Sequence, residues 1–598
     1  MTRKDPRHAV SRPAWLVRAC GPALLVLACG AVLFLTRANT SALSEPDEAR
    51  YAEVSREMLA SGDYVTPRFD HIRYLAKPPL LFWMTAGSFA LLRPSEFAAR
   101  LPCKLTAIAS LLGCYLLGKA MFGRRAGVLS AVVLGSSVFY CVQGQLLRFD
   151  TPLALAIVAA FLLFWRAQEA PSPGHRALYC FFLYVALGVV ALLKGPALVA
   201  VALLCIGAYY ATVRLLRLPG GPSQPIPVGR SVRWIGLQVL LALVAFGSVA
   251  VPWYAAAEHA NPGFIRYFLL SENLSRAFSE YAHPKPWWFF LLWTPVLVLP
   301  WTVLLPHAFA AGWREVRRKG SEARAWAFCA AWFAVCLVGF SASRAKLQVY
   351  MLPALPALAL MIGKVAADIS SVPKERALAA GGKVAVGLFA ALTLLLAGGV
   401  IWYAHWRLNP GGSRLPSPLE VVLFALCVGA LVAAGVWLGL RRRLGAASWA
   451  CAAAIAAMTL VNGLVGAVSN AQSPKPLAWQ AALAAQRAYE ATGKRGRIVV
   501  YAKFRDMRGT VFYASAAPCP LTIVDTMPSE WRFDPDEARR SGLWFDKQRI
   551  YDFLPSDGET WYITERQPYD ELVAQTGDRF VVLGTHGQKL LFKSRALY

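Results

Sequence analysis

Apolar windows of about twenty residues, the length that crosses a hydrocarbon core as a helix, recur along this chain as far as residue 469. We place about thirteen of them, at 15–36, 101–121, 126–142, 151–165, 177–193, 196–213, 234–253, 287–309, 325–341, 348–363, 384–404, 418–440 and 446–469. The composition agrees. Apolar residues make up 57% of the chain and charged residues 16%, against roughly 25% charged in an ordinary soluble domain. The expected fold is therefore an α-helical polytopic membrane protein.

Lys and Arg accumulate in cytoplasmic loops, so their distribution sets an orientation. With the N-terminus inside, the basic segments are Arg3, Lys4, Arg7, Arg12 and Arg18, then Arg124–Arg125, Arg214 to Arg233, Arg314 to Arg324, Lys364 to Lys383 and Arg441 to Arg443. The short loops on the other side hold far fewer: Arg148, Lys194, Arg344 with Lys346, and Arg407 with Arg414. This bias accounts for much of the net charge of +28, and it disperses the cations instead of gathering them on one face, which argues against nucleic acid as a partner. The first apolar stretch is long and lacks a small-residue cleavage site, so it is expected to remain as a helix. Most of the twelve cysteines fall inside the spans, and no disulfide framework is indicated.

Two segments stand outside the bilayer. The loop at 37–100 is too long for a plain connection. In it, Pro46 and Asp47–Glu48 precede an amphipathic run ending near Gly62, with Tyr51, Val54, Met58 and Leu59 as an apolar stripe suited to a helix lying in the membrane interface. A second such helix is expected after Pro78–Pro79. Beyond the membrane domain at 1–469, residues 470–598 predict a small α/β domain on the translocated side. Strand-like runs fall at 497–502, 510–514, 560–564 and 579–584, with helical patterns at 476–492 and 568–576.

Charges at membrane depth cost roughly 2.5–3.5 kcal/mol each on insertion scales, so a group of them needs a reason. Asp47, Glu48, Arg50, Lys77, Asp150, Lys194, Arg266, Glu272, Arg276, Arg344, Lys346 and Tyr350 all fall at the non-cytoplasmic ends of spans or in loops on that side. Acids beside cations suit chemistry on an anionic leaving group, since one pairing at about 4 Å and a dielectric near 20 is worth about 4 kcal/mol before desolvation. Simpler roles stay open at several positions. Asp47–Glu48 and Asp150 can cap helices, Lys194 can snorkel, and Tyr51 and Tyr74 can be interfacial anchors. A transporter would place its charges at the bilayer midplane within repeated halves, and no repeat is present in this sequence. A noncatalytic receptor would bind through the tail.

The motifs SEPDEARYAEVSREMLASGDYVTP, YLAKPPLLFW, ARLPCKL, LLRFDTP, LLKGP, VPWY, NPGFIRYFLLSENLSRAF with HPKPWWFF, and AKLQVYMLP occur in the order expected of the bacterial lipid A aminoarabinose transferases. The chain resembles that family, part of the wider group of polyprenyl-phosphate-sugar-dependent membrane glycosyltransferases that includes protein O-mannosyltransferases. The resemblance implies about thirteen transmembrane helices, interfacial helices in the first external loop and a periplasmic α/β domain, in the bacterial inner membrane. It implies transfer of 4-amino-4-deoxy-L-arabinose from undecaprenyl phosphate to a lipid A phosphate, or of another lipid-linked sugar such as galactosamine, glucose or mannose to lipid or protein. By the same resemblance Asp47 and Asp150 are the catalytic acids. Lys77, with Arg276 or Arg266, and Tyr350 hold the carrier phosphate, and Tyr51 and Tyr74 stand where the family keeps aromatic residues around the cavity; Glu48, Arg50, Lys194, Glu272 and Lys346, charged and on the same side, are expected to line it. Where relatives carry Glu and His associated with a metal, this chain has Ala76 and Asn273. The motifs therefore call for no cofactor, and these two departures disfavour a divalent metal.

Overall fold

The computed structural model describes residues 12–35, 41–219, 232–275, 284–371, 469–515, 517–526, 533–553, 560–577 and 579–594. The three spans expected at 384–404, 418–440 and 446–469 lie outside these residues, apart from Ser469. Arg276 lies outside them too.

Ten expected spans fall within the described residues, and there seven helices are long and apolar enough to cross a membrane. In chain order the helices of this part are α1 Arg12–Leu35, α2 Asp47–Ser61, α3 Leu80–Leu92, α4 Glu96–Phe122, α5 Arg124–Ser136 and α6 Val138–Gln143. They continue with α7 Asp150–Gln168, α8 Pro173–Lys194, α9 Pro196–Leu215, α10 Val232–Ala260 and the short α11 Phe264–Arg266, which runs into a π-helical stretch Tyr267–Ser275. Then come α12 Phe289–Leu297, α13 Leu305–Arg317, α14 Ala323–Ala342 and α15 Leu355–Ser371.

Two expected spans are broken. The window at 126–142 ends as a regular helix at Ser136, where the Ser136 and Ser137 hydroxyls each donate to a carbonyl one turn back at 2.6 Å and Ser137 turns extended. Such back-bonding offers the backbone an alternative to continuing the helix. The window at 287–309 contains Pro295, Pro300 and Pro306, and it becomes α12, a 3-10 turn Trp301–Leu304 and α13. The two breaks serve each other. The Val138 amide donates to the Leu299 carbonyl at 2.9 Å, and the Trp301 indole donates to Ser136 Oγ at 2.9 Å. Backbone groups freed inside the membrane are thus satisfied by protein, as they must be there.

The first external loop also departs from expectation. Between α2 and α3 the chain forms a two-stranded hairpin, β1 Arg68–Phe69 with β2 Ile72–Arg73. α2 ends at Gly62, whose positive φ of 71° closes the C-cap as its position predicts. Instead of resting one stripe on the interface, α2 buries Glu48, Arg50, Glu53 and Glu57 as well as Tyr51, Val54 and Met58. Protein encloses it because a second domain packs on the side that a membrane-surface helix would turn to water.

That domain begins with α16 Lys475–Thr492 and contains a six-stranded sheet in the order β5-β4-β3-β6-β8-β7. β3 is Arg497–Tyr501, β4 Leu521–Val524, β5 Trp544–Phe545 and β6 Thr560–Glu565, all parallel where they pair. β7 Phe580–His586 and β8 Lys589–Ser594 close one edge antiparallel. Helices α17 Gly509–Tyr513, α18 Pro535–Arg540 and α19 Arg566–Thr576 complete it. The run at 510–514, expected as a strand from its Val, Phe and Tyr, is the helix α17. It is buried throughout and docks on the start of α2, so its tertiary setting overrides its β propensity.

Candidate active site

The segment entering α2 is the centre of a charged cluster. Pro46 occupies the N-cap without a side-chain bond, and neither following acid is used as a cap. Asp47 is paired with Arg50 at 2.7 Å and with Arg148 at 3.6 Å. Burial pushes the Asp47 carboxyl up, but Arg50, Arg148, Arg508 and Lys77 together hold it below the ordinary carboxylate value. Asp47 is therefore a carboxylate set among cations, and Lys77 belongs to its electrostatic surroundings.

Glu48 has a different task. It is fully enclosed, and it accepts two bonds from the Arg100 guanidinium at 2.7 and 2.8 Å, one from the Leu147 amide at 2.7 Å, and two from Ser44. These partners hold its carboxyl down at about 2, against burial that raises it. A side chain so committed ties α2 to α4 and to the turn before α7; it does not face an open cavity, as its expected role would require.

The tyrosines are packed more deeply than interfacial anchors. The Arg50 guanidinium lies 5.1 Å from the Tyr51 ring centre and 5.4 Å from that of Tyr74. Tyr51 meets Phe149 edge-on at 5.1 Å, and Phe82 packs on both Tyr51 and Tyr74.

Three consecutive residues join this cluster to the next. Arg148 reaches Asp47, Phe149 packs on Tyr51, and Asp150 pairs with Lys194 at 2.5 Å. Asp150 stands in the first turn of α7, yet the structure assigns the cap position to Phe149 with no side-chain bond, so the carboxylate is spent on Lys194. Lys194 ends α8 and lies 5.9 Å from the ring of Tyr350, which rides on the 3-10 turn Gln348–Ala354. The Gly-Pro after Lys194 has a reason. Gly195 has φ +91°, and a Cβ there would stand 2.8 Å from the Phe268 ring.

The remaining expected residues scatter. Lys346 is 3% exposed and donates to the carbonyls of Lys285, at 3.1 Å, and Ser343. Glu272 accepts from the Tyr267 hydroxyl at 3.1 Å. Arg266 lines a separate cleft. Ala76 is buried and apolar, and the Asn273 amide donates to the Phe268 carbonyl at 2.6 Å. Neither offers a carboxylate or imidazole, so the pair does not fit a transition-metal site.

Sequence reasoning missed four contributors: Arg148, Arg100, Glu45 and Arg508. Arg148 was legible in principle, since it directly precedes the singled-out Asp150 in LLRFDTP. Arg508 was not. It comes from the C-terminal domain, is 4% exposed, and reaches this region because the Gly509 amide donates to Glu45 Oε1 at 2.7 Å.

A polytopic helical domain whose 37–100 loop and C-terminal α/β domain enclose a cluster of acids and cations defines the class: multispanning membrane proteins with a charged site between the helices and an α/β domain. ArnT from Cupriavidus metallidurans, solved bound to undecaprenyl phosphate, matches with a TM-score of 0.74 over 97% of this chain and 99% of that one, at 22% identity. The oligosaccharyltransferase AglB from Archaeoglobus fulgidus matches more distantly, with a TM-score of 0.50 over 93% of this chain and 70% of that one, at 13% identity. The family model for dolichyl-phosphate-mannose-protein mannosyltransferase matches residues 21–268. The undecaprenyl phosphate-alpha-4-amino-4-deoxy-L-arabinose arabinosyl transferase of Pseudomonas aeruginosa is 30% identical over 68% of this chain and 69% of its own length. The chain belongs to that arabinosyl transferase family. A relative from Proteus mirabilis is 29% identical over 61% of this chain, and one from Erwinia tasmaniensis 31% identical over 61%; the chain spans 63% of the length of each.

Proposed function

We propose that the protein transfers a 4-amino-4-deoxy-L-arabinosyl group from undecaprenyl phosphate to a phosphate of lipid A at the periplasmic face of the bacterial inner membrane. The observation that carries this reading is the gathering of Arg50, Arg148, Lys77 and Arg508 around the carboxylate of Asp47, beside the Asp150–Lys194–Tyr350 group.

In this reaction an oxygen of the acceptor phosphate attacks the anomeric carbon. The bond between that carbon and the carrier phosphate breaks, and its electron pair leaves with undecaprenyl phosphate. An anionic acceptor carries no proton to remove, so no general base is needed. The chain's task is electrostatic. Lys77, with Arg276 as its partner and Tyr350 nearby, holds the carrier phosphate and meets the charge that grows on its leaving oxygen. Asp47, ionised because cations surround it, offsets the positive charge that develops on the sugar as its bond to the carrier breaks, and orients the sugar's amino group. Asp150 pairs with Lys194 at the same end of the bundle. The C-terminal domain lies on the periplasmic side as a cap that contributes Arg508.

Reconstitution of the full chain with purified undecaprenyl phosphate-linked sugars and lipid A tests the proposal, with mass spectrometry of the lipid product. Lipid A should gain one aminoarabinose on a phosphate, and Lys77→Ala should abolish most turnover. Transfer only from galactosamine, glucose or mannose donors would reassign the sugar, and transfer only to a protein would reassign the acceptor.

A further inference from the structure

A cleft of about 570 Å³ opens between the β1–β2 hairpin, the segment at 262–271 and the start of α18, apart from the Asp47 cluster. Its volume is within the range of small-ligand sites. Arg73, Arg266, Tyr267, Ser271, Phe533 and Asp534 contribute its polar and aromatic lining.

The charges there are unequally committed. Arg73 is held by Asp534 at 2.5 Å and Glu537 at 2.6 Å, and it stacks over the Phe533 ring at 5.2 Å. The amides of Gly263 and Ile265, which would otherwise attract an anion, donate to Glu258 at 2.9 and 2.7 Å. Arg266 is exposed and makes no ion pair among the described residues. It is the cation left for a ligand. Opposite it, Tyr267 and Phe533 meet edge-on with ring centres 5.3 Å apart, a surface on which a sugar ring can lie.

The same segment sorts its faces. Phe264 and Phe268 turn inward, with Phe268 against Gly195, while Ile265, Leu269 and Leu270 are 37%, 40% and 50% exposed. Of these, Leu270 lines the cleft itself. Exposed aliphatic side chains beside a membrane suit contact with acyl chains. The cleft thus joins a free guanidinium, an aromatic platform and a lipid-facing flank, the three surfaces an amphiphile with a phosphorylated sugar head presents.

We propose that this cleft seats the phosphate-bearing sugar head group of the acceptor lipid, with Arg266 as its phosphate-binding cation. The assignment deepens the function proposed above and rests on it for the identity of the acceptor. It also separates Arg266 from the carrier phosphate, the role that the resemblance offered as an alternative to Arg276.

The test uses the full chain in nanodiscs and measures direct binding of three probes: lipid A with its phosphates, the same lipid with them removed, and undecaprenyl phosphate. Arg266→Ala should weaken binding of phosphorylated lipid A at least tenfold and leave the other two within twofold, and Arg266→Lys should recover part of the loss. Unchanged lipid A binding would overturn the proposal, as would an equal loss for the dephosphorylated lipid. Equal loss of undecaprenyl phosphate binding would return Arg266 to the carrier site. Because binding is read without turnover, an enzyme that fails to transfer aminoarabinose would refute the proposed function while leaving this measurement decisive for the cleft.

Discussion

Two adjacent acids, Asp47 and Glu48, differ in consequence because of their partners. Glu48 is enclosed with Arg100, 4% exposed at its side chain, so removing one charge strands the other. Glu48→Gln should destabilise the protein by about 3–5 kcal/mol, the usual result of breaking a buried pair from one side. Thermal unfolding in detergent at pH 7 checks it. Its pH dependence has a definite sign. The folded carboxyl lies near 2, below the unfolded value, so its stabilisation is present above pH 4.5 and is lost as pH falls toward 2. Asp47→Asn should instead leave the fold intact and lower turnover about 100-fold, the scale of losing one electrostatic contact to a transition state. Binding of undecaprenyl phosphate should hold or tighten, since an anion has been taken from beside a phosphate. Near-normal turnover in a single-turnover assay would remove Asp47 from the chemistry. Sequence alone showed that both acids belong in one place, but it did not show which was structural. The distinction is made by Arg100 and Leu147, far away in the chain, and nothing in the spacing of EPDEAR announces them.

Among the elements, the long apolar helices were legible because length and composition define a span, whereas the interruptions at Ser137 and Pro300 were less so. Both broken windows have the hydropathy of a span, and only the hydrogen bond from Val138 to Leu299 across them explains why a break is tolerated. Helix contacts are a further case. Gly363 of α15 lies against α5 so closely that a Cβ would stand 2.5 Å from the Ser130 amide nitrogen. Gly127 of α5 packs equally tightly on α4, where a Cβ would meet the Tyr115 carbonyl at 2.5 Å. Small residues at such crossings let helix backbones approach where no hydrophobic effect drives them together. In a free helix, Gly→Ala is favourable by about 1 kcal/mol. At Gly363 the sign should reverse, and Gly363→Ala should cost about 1–3 kcal/mol through overpacking, read as a lower midpoint in a thermal melt. A raised midpoint would show that the α5–α15 contact yields easily. In the C-terminal domain, β3, β6 and β7 were visible as apolar runs. β4, β5 and β8 were not, and the residues of α17 have a strand's local composition because the contacts with α2 that make them a helix are long-range.

At the scale of the molecule, the soluble domain is held to the membrane domain by polar contacts that no local pattern records. Arg73 bridges to Asp534 and Glu537, Lys475 pairs with Glu96, and the Leu43 amide donates to the Tyr513 hydroxyl at 2.8 Å. Glu45 stands at the centre of this seam. Its carboxyl is buried and pushed up to about 7, because desolvation outweighs the Gly509 amide, Lys589 and Arg508. A raised folded value means that the unfolded chain releases this proton first. The stability Glu45 contributes is therefore complete below pH 4.5 and declines as pH rises toward 7, by about 3 kcal/mol in total for a shift of this size. Gln at this position keeps the oxygen that accepts from Gly509 but cannot ionise. Glu45→Gln should accordingly flatten that part of the stability curve between pH 5 and 7, measured by thermal melts and by protease cleavage of the junction near residue 470. If wild type and variant fall in parallel over this interval, the seam is not governed by Glu45. The slope would then belong to Asp70 and Glu57, which burial and Glu53 raise to about 8 and about 9, and Asp70→Asn with Glu57→Gln would flatten the curve instead.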